Sequence, residues 1–329
     1  MSCIFIERRP TLARIVVVGS LNMDLVATTP RIPVVGETII GTTYFTEPGG
    51  KGANQAYSAA RLGGDVAMLG RIGDDDFGRE MRDNLVKAGC DVSGIHSIPG
   101  TSGVALIFVA EDGQNSIVVV PGANTSFAPE HITQDGAHIR SSKIVLLQLE
   151  NPVPTVLAAA QAARKAGAKV ILDPAPAPAT ALPLELMRTV DIVTPNETEA
   201  AILAGLPPGT LTPQQAVVIG RKLQAMGATT VVVKLGSQGC VIVAQDRPIL
   251  LPAPRVNAMD TTAAGDVFGA GLGVALSEGL DLPAACRFAN HAAALSVTRL
   301  GAQIAVPCRA EVDVFLNTAQ VDASAILEG

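Results

Sequence analysis

Residues 143–173 read KIVLLQLENPVPTVLAAAQAARKAGAKVILD. Ile144–Leu149 and Val170–Leu172 are continuous apolar runs, as expected of strands buried on both faces. Pro154–Ala166 between them is alanine-rich and of helix length, so the segment predicts a strand, a crossover helix and a parallel strand. The rhythm extends in both directions. Further apolar runs fall at Ile15–Gly19, Val66–Leu69, Ile192–Val193 and Val231–Leu235. Helices are expected at Asn54–Leu62, Phe77–Ala88, Glu197–Leu203, Gln214–Ala225, Gly265–Ser277 and Pro283–Arg299. The chain therefore reads as an α/β protein, a mainly parallel sheet flanked by helices on both faces, in one domain over 1–329.

Two segments break the alternation, Met23–Glu47 and Ser102–Val120. The second reads as a hairpin about Asp112-Gly113, and together they are expected to form a small β-sheet with a substrate cleft beneath it. The Pro/Ala-rich run Asp173–Pro183 is expected to be a loop at the carboxyl end of a strand, since strands continue on either side.

Composition excludes several function classes. A formal net charge of −6 offers no basic footprint for nucleic acid. Mean hydropathy is +0.36, yet no uninterrupted apolar run approaches the roughly 18 residues a membrane span needs. The start, MSCIFIERRP, reverses the charge order of a secretory signal, so a cytoplasmic location is expected. Cys3, Cys90, Cys240, Cys286 and Cys308 are an odd set without C-x-x-C, against a disulfide framework or a zinc site. The four histidines show no metal-ligand spacing.

The chemistry concentrates in three short stretches and two strand ends. Residues 260–266, DTTAAGD, precede a helix of small residues, where free amide N–H groups and the positive dipole end make an anion site. Asp266 beside such a site suits a general base, although an aspartate near a helix start also serves as a cap. Residues 49–55, GGKGANQ, open another helix and combine close backbone approach with the donors of Lys51 and Asn54. The stretch is not a Walker A loop, since Gly52 follows the lysine where Ser or Thr is required, and a plain glycine turn has the same composition. Asn22 and Asp24, at i and i+2 after the first strand, face the same way in extended chain and suit vicinal hydroxyls, or else form a turn. Glu150, Asn196 and Glu199 fall where open parallel sheets bind ligands; Glu199 fits either Mg²⁺ through water or a helix dipole. There is no H-E-x-x-H, no G-x-S-x-G, and no dinucleotide fingerprint after the first strand.

In order along the chain, GSLNMD, PGGKGANQA, GRIGDDDFG, TSGVALIFVA, LLQLE, DPAPA, DIVTPNETEA, VVVKLGSQG, DTTAAGDVF and VTRLGAQIAVP occur together. On these the chain resembles, nearly end to end, the ribokinase family of carbohydrate kinases. The resemblance implies transfer of the γ-phosphoryl group of ATP to the 5-hydroxyl of D-ribose. Asp266 would be the base, and the backbone of Ala263, Ala264 and Gly265 the anion hole. It further implies sugar contacts from Asn22, Asp24, Gly50, Lys51, Gly52, Ala53, Asn54 and Glu150. Nucleotide contacts would come from Asn196, Asn290 and the turn Lys234, Leu235, Gly236, Ser237, Gln238 and Gly239, with Gly265 and Asp266. Glu199 would order the water shell of Mg²⁺. A K⁺ site is implied around Asp260, Thr262, Ser296, Arg299, Gly301 and Ala305, where Ala305 departs from an expected serine and removes a side-chain oxygen. The small sheet would act as a lid and join two copies in a homodimer. Within the same resemblance a kinase for 2-deoxyribose, a nucleoside or a hexose is the alternative, and a non-catalytic sugar-binding regulator a remote one.

Overall fold

The computed structural model describes residues 14–178, 180–245 and 247–327. The extension over residues 1–13, with Cys3, lies outside the described residues. In chain order the strands are β1 Arg14–Val18, β2 Asn22–Thr29, β3 Thr43–Gly49, β4 Val66–Gly73, β5 Asp91–Ile98, β6 Gly103–Ala110 and β7 Asn115–Val120. They continue with β8 Ser142–Leu147, β9 Lys169–Leu172, β10 Ile192–Val193, β11 Thr230–Lys234, β12 Cys240–Val243, β13 Ile249–Leu251 and β14 Ala325–Ile326.

Residues 143–173 fold as β8, the helix Val153–Lys165 and β9, with β8 and β9 parallel and Ile144 opposite Lys169. Among the described residues the large sheet has ten strands in the order β14-β13-β12-β11-β10-β9-β8-β1-β4-β5. From β11 to β5 every pairing is parallel. The chain builds outward from β1 to β4 and β5, then returns to the other side of β1 with β8 and builds outward again. That reversal leaves a crevice beyond the carboxyl ends of β1 and β8, where such sheets bind their ligands. One face of the sheet buries Ile15, Val17, Met68 and Leu146 against the helices Lys51–Arg61 and Ala264–Ser277; the other buries Val16, Val18, Val145 and Leu147 against Val153–Lys165. Alternation along β1 thus feeds two separate cores, which is why its sequence shows no polar face.

The segments that interrupt the alternation form a separate sheet, ordered β3-β2-β6-β7. β6 and β7 are the hairpin expected at Asp112-Gly113, closed by Ala110 N–H to Gln114 O at 2.8 Å, with Gly113 at φ 84°.

Three departures have physical causes. The first helix starts at Lys51 rather than Asn54, because Gly50 at φ 87° turns the chain and Ala53 N–H reaches Ser20 O at 2.9 Å. The helix expected over Pro283–Arg299 ends at Ser296, whose carbonyl accepts from Arg299 N–H at 3.1 Å in the following turn. β5, β12, β13 and β14 were not foreseen: β5 reads DVSGIHSI, too polar to show a buried-strand run, and β12 to β14 are short antiparallel edge additions. No helix among the described residues is long and apolar enough to cross a membrane.

Candidate active site

Gly19 follows β1, and Gly52 lies in the first turn of the helix Lys51–Arg61. A Cβ built on Gly52 would come within 2.5 Å of the Gly19 carbonyl carbon, so only glycine lets that helix start so close to the end of β1. This contact brings together the residues expected to contact sugar. The Glu150 carboxylate accepts from the Ser20 hydroxyl, from Lys51 N–H at 3.0 Å and from Asn22 Nδ2 at 3.4 Å. Asn22 is held from behind, its Oδ1 accepting from Asn124 Nδ2 at 2.8 Å, while Asn124 also brackets the Leu21 backbone at 3.0 Å on both sides. Asn22 and Asp24 do face one way along β2, and both are buried. The structure therefore gives the pair a place in the cluster, not in a turn.

Asp24 lies directly across from Glu47 on β3. Burial, then Glu47, Glu150 and Asp266, outweigh Lys51 and raise the Asp24 carboxyl to about 7. For Lys51, burial opposes the charge, but Asp266, Glu150, Asp173 and Glu199 hold its pKa above the ordinary lysine value. An ammonium held charged by neighbouring carboxylates is a donor that hydroxyls can accept from.

Asp266 sits in the first turn of the helix Ala264–Ser277 and is 4% exposed. Its Oδ2 accepts from Asn54 Nδ2 at 3.1 Å and its Oδ1 from Gln55 Nε2 at 3.4 Å. Burial raises its carboxyl to about 6, with Lys51 and Asn54 pulling down and Asp173 and Glu150 pushing up. Its side chain does not cap the helix; the cap position is Ala263, in the left-handed region at φ 58° and ψ 7°, without a side-chain cap bond. Ala263 is the one non-glycine residue at positive φ among the described residues. Ala264 N–H turns back to Thr261 O at 3.2 Å. The Gly265 and Asp266 N–H groups, like helix-start amides generally, have no carbonyl behind them within the helix.

Among the residues expected to contact nucleotide, Asn196 caps the helix Glu197–Leu203: its Oδ1 accepts from Glu199 N–H at 2.8 Å, and Glu199 Oε2 accepts from Asn196 N–H at 2.8 Å. Burial raises the Glu199 carboxyl, opposed by Lys234 and assisted by Asp173. The turn after β11 is closed by Leu235 N–H to Gly239 O at 2.8 Å, with Gly236 and Gly239 at φ 54° and 97°. Asn290 donates to Leu251 O at 3.1 Å, anchoring its helix beneath β13. No three acidic, cysteine or histidine side chains converge into a direct metal cage among the described residues.

The residues of the expected cation site form two loops joined by one side chain. Asp260 Oδ1 accepts from Thr262 N–H at 2.9 Å and its hydroxyl at 2.6 Å, while Oδ2 accepts from Gly301 N–H at 2.9 Å. Burial opposes the charge, but these bonds hold the carboxyl below its usual range. Arg299 is occupied by Glu311 at 2.6 Å, the Ser296 hydroxyl by Ala293 O at 2.8 Å, and Ala305 is buried and has no side-chain oxygen to offer.

Sequence reasoning missed the polar side chains behind the site: Ser20, Gln55, Asn124, Gln148, Asp173 and Gln303. Gln148, interrupting LLQLE two residues before Glu150, was a legible signal; it donates to Gln55 Oε1 at 2.5 Å. Gln303, which steadies Asn54 Oδ1 at 3.0 Å, is distant in sequence and gave none.

A family model described as pfkB family carbohydrate kinase matches residues 12–309. The ribokinase of Haemophilus influenzae is 41% identical over 304 residues, covering 92% of this chain and 98% of its own. The deoxyribokinase of Salmonella typhi is 36% identical over 304 residues, again covering 92% and 98%. The structure of Arabidopsis thaliana ribokinase complexed with ribose and ATP superposes with a TM-score of 0.86 at 38% identity, over 93% of this chain and 99% of that one.

Proposed function

The chain belongs to the pfkB family of carbohydrate kinases, and from that premise we propose that it phosphorylates D-ribose at the 5-hydroxyl, using ATP and releasing ADP. The observation that carries this reading is the placement of Asp266: a buried carboxylate with its pKa raised to about 6, at the start of a helix with free amides, beside a cluster of hydroxyl-binding groups. The primary hydroxyl approaches Asp266, which takes its proton as the oxygen attacks the γ-phosphorus. Negative charge developing on the phosphoryl oxygens meets the anion hole expected at Ala263, Ala264 and Gly265; because the Ala264 N–H already donates to Thr261 O, the Gly265 amide serves there with that of Asp266 and the helix's positive end. Asn22, Asp24, Lys51, Asn54 and Glu150 hold the other hydroxyls, with the Gly50–Ala53 backbone; Asn196, Asn290 and the Lys234–Gly239 turn hold the nucleotide.

Glu199 has one carboxylate oxygen beyond its capping bond and would hold Mg²⁺ through water, the ion neutralising charge on the phosphates. A K⁺ ion would rest on the backbone carbonyls of the two loops that Asp260 joins, stiffening the turn at Ala263. The small sheet serves as the lid over the sugar. Its exposed apolar residues, among them Tyr44, Leu106, Phe108 and Val118, pair two copies through their lids.

ADP release by the purified protein with Mg-ATP and K⁺ tests the reading, comparing D-ribose, 2-deoxyribose, adenosine, fructose and no sugar. Selective turnover of ribose with phosphate on the primary oxygen is expected. Preference for 2-deoxyribose would move the assignment to the activity named for the Salmonella relative, and no turnover with any acceptor would leave a binding protein. In sedimentation, the wild type is expected as a dimer and Phe108→Glu as a monomer.

A further inference from the structure

Asp173 follows β9, at the head of the Pro/Ala-rich loop, and nothing above gives it a task. It is 3% exposed, and its two oxygens have different partners: Oδ1 accepts from Lys234 Nζ at 2.9 Å, Oδ2 from Gln55 Nε2 at 3.4 Å. The same Gln55 nitrogen donates to Asp266 Oδ1 at 3.4 Å, and Gln148 fixes the far side of that amide. The Lys234 side chain, 11% exposed, reaches from the end of β11 to the start of the catalytic helix, where a Cβ built on Gly265 would lie 3.2 Å from Nζ.

An ammonium this deeply buried needs answering charge; Asp173 is its hydrogen-bonded ion-pair partner, and the Glu199 carboxylate acts on it from further off. The location decides the meaning of the pair. Its cationic end lies against the amides that receive phosphoryl charge, and its anionic end shares a donor with the base. We propose that Asp173 is a positioning residue for phosphoryl transfer: it holds the Lys234 ammonium against Gly265, where that charge meets the transferring group, and it shares Gln55 with Asp266 so that the base keeps one orientation. Lys234 is then a catalytic residue as well as part of the nucleotide turn. It donates hydrogen bonds to the phosphoryl oxygens and transfers nothing; the hydroxyl proton goes to Asp266, and the bond to the ADP oxygen breaks as the bond to the sugar oxygen forms. A side chain at position 265 would crowd the ammonium, since a Cβ there would lie 3.2 Å from Nζ and the lysine tip would have to give way.

The inference rests on the kinase reading above, and its test separates the two. Asp173→Asn, Lys234→Met and the double variant are assayed with whichever acceptor the wild type phosphorylates, so a change of sugar overturns the ribose assignment and leaves this cycle intact. Each single variant is expected to lose on the order of 10²-fold in kcat, with the sugar KM changed by less than about threefold. The double variant should be no worse than the poorer single one, because either single change strands a buried partner. Independent of turnover, ADP with aluminium fluoride should bind the wild type more tightly than ADP alone, and Lys234→Met should lose that increment, read as the ratio of the two affinities so that any change in ADP binding through the nucleotide turn cancels. Lys234→Arg, which keeps the charge, should recover part of it and serves if Lys234→Met does not fold. Losses that multiply in the double variant, a loss confined to the sugar KM, or a drop in melting temperature without a drop in kcat would each overturn the proposal.

Discussion

Two aspartates six residues apart, Asp260 and Asp266, lie on either side of the turn at Ala263 and have opposite chemistry. Asp260 accepts three hydrogen bonds from Thr262 and Gly301, and its carboxyl is held low. Asp266 accepts two longer ones, is more deeply buried, and its carboxyl is raised to about 6. The loop before the helix is a strut, and in the proposed function the first helical turn is the reactive site. What separates them is how many donors answer the charge once water is gone. A fully answered carboxylate has no use for another proton, whereas an under-answered one accepts it from a substrate.

The most severe way to break this comparison is Asp266→Asn, expected to lower kcat by at least about 10³-fold while sugar binding by calorimetry changes only severalfold. If near-normal turnover survived, the two aspartates would not differ in the way described. Asp260→Ala should act differently. Freeing Thr262 and Gly301 loosens the turn, so a lower melting temperature and a loss in kcat of roughly tenfold are expected, from the loss of three hydrogen bonds, one of them partly buried. A larger loss than that of Asp266→Asn would reverse the roles.

The comparison is sharpened by pH. Asp24 at about 7 and Asp266 at about 6 must both lose protons to accept hydroxyls, so kcat/KM for the sugar should rise across that interval. Their effect on stability has the other sign. A carboxyl whose folded pKa lies above its unfolded value binds its proton more tightly in the native state. Its contribution to stability is full below 3.8 and is lost as pH rises through about 7. The ligand-free wild type should therefore lose more melting temperature between pH 5 and pH 8 than Asp24→Asn does. Equal losses would show that Asp24 is not raised.

The smallest effect expected is at the turn itself. Ala263 occupies the left-handed region, which costs an L-residue roughly 1 kcal/mol, so Ala263→Gly should raise stability by up to about that amount with kcat changed less than twofold. A fall in stability would mean the turn gains from the alanine methyl more than it loses in strain.

β1 and β7 show how far the sequence could be read. RIVVV and NSIVVV are nearly the same text, and both are strands. In β1 the last four residues are 0–1% exposed, between two helical layers; in β7 Ile117 to Val120 are 44–55% exposed at a sheet edge. Local composition sets the backbone preference of each, but which faces are covered depends on partners far away in the chain. The site divides in the same way. Asp266, Asn22, Asp24, Lys51, Asn54, Glu150 and Glu199 were legible because each stands at a strand end or helix start, where the fold leaves polar groups open. Asp173 looked like the first residue of a linker, and Gln55, Gln148 and Gln303 looked like ordinary polar positions.

The sequence by itself determined the alternation of strand and helix, the small sheet as an interruption of it, and the glycine-rich turns that only certain backbones can make; these are properties of neighbouring residues. The tertiary structure alone decided which carboxylate is answered and which is not. That depends on donors such as Asn54 and Gln55, more than two hundred residues from Asp266 in sequence, and burial and charge balance act through space, where chain order carries no information.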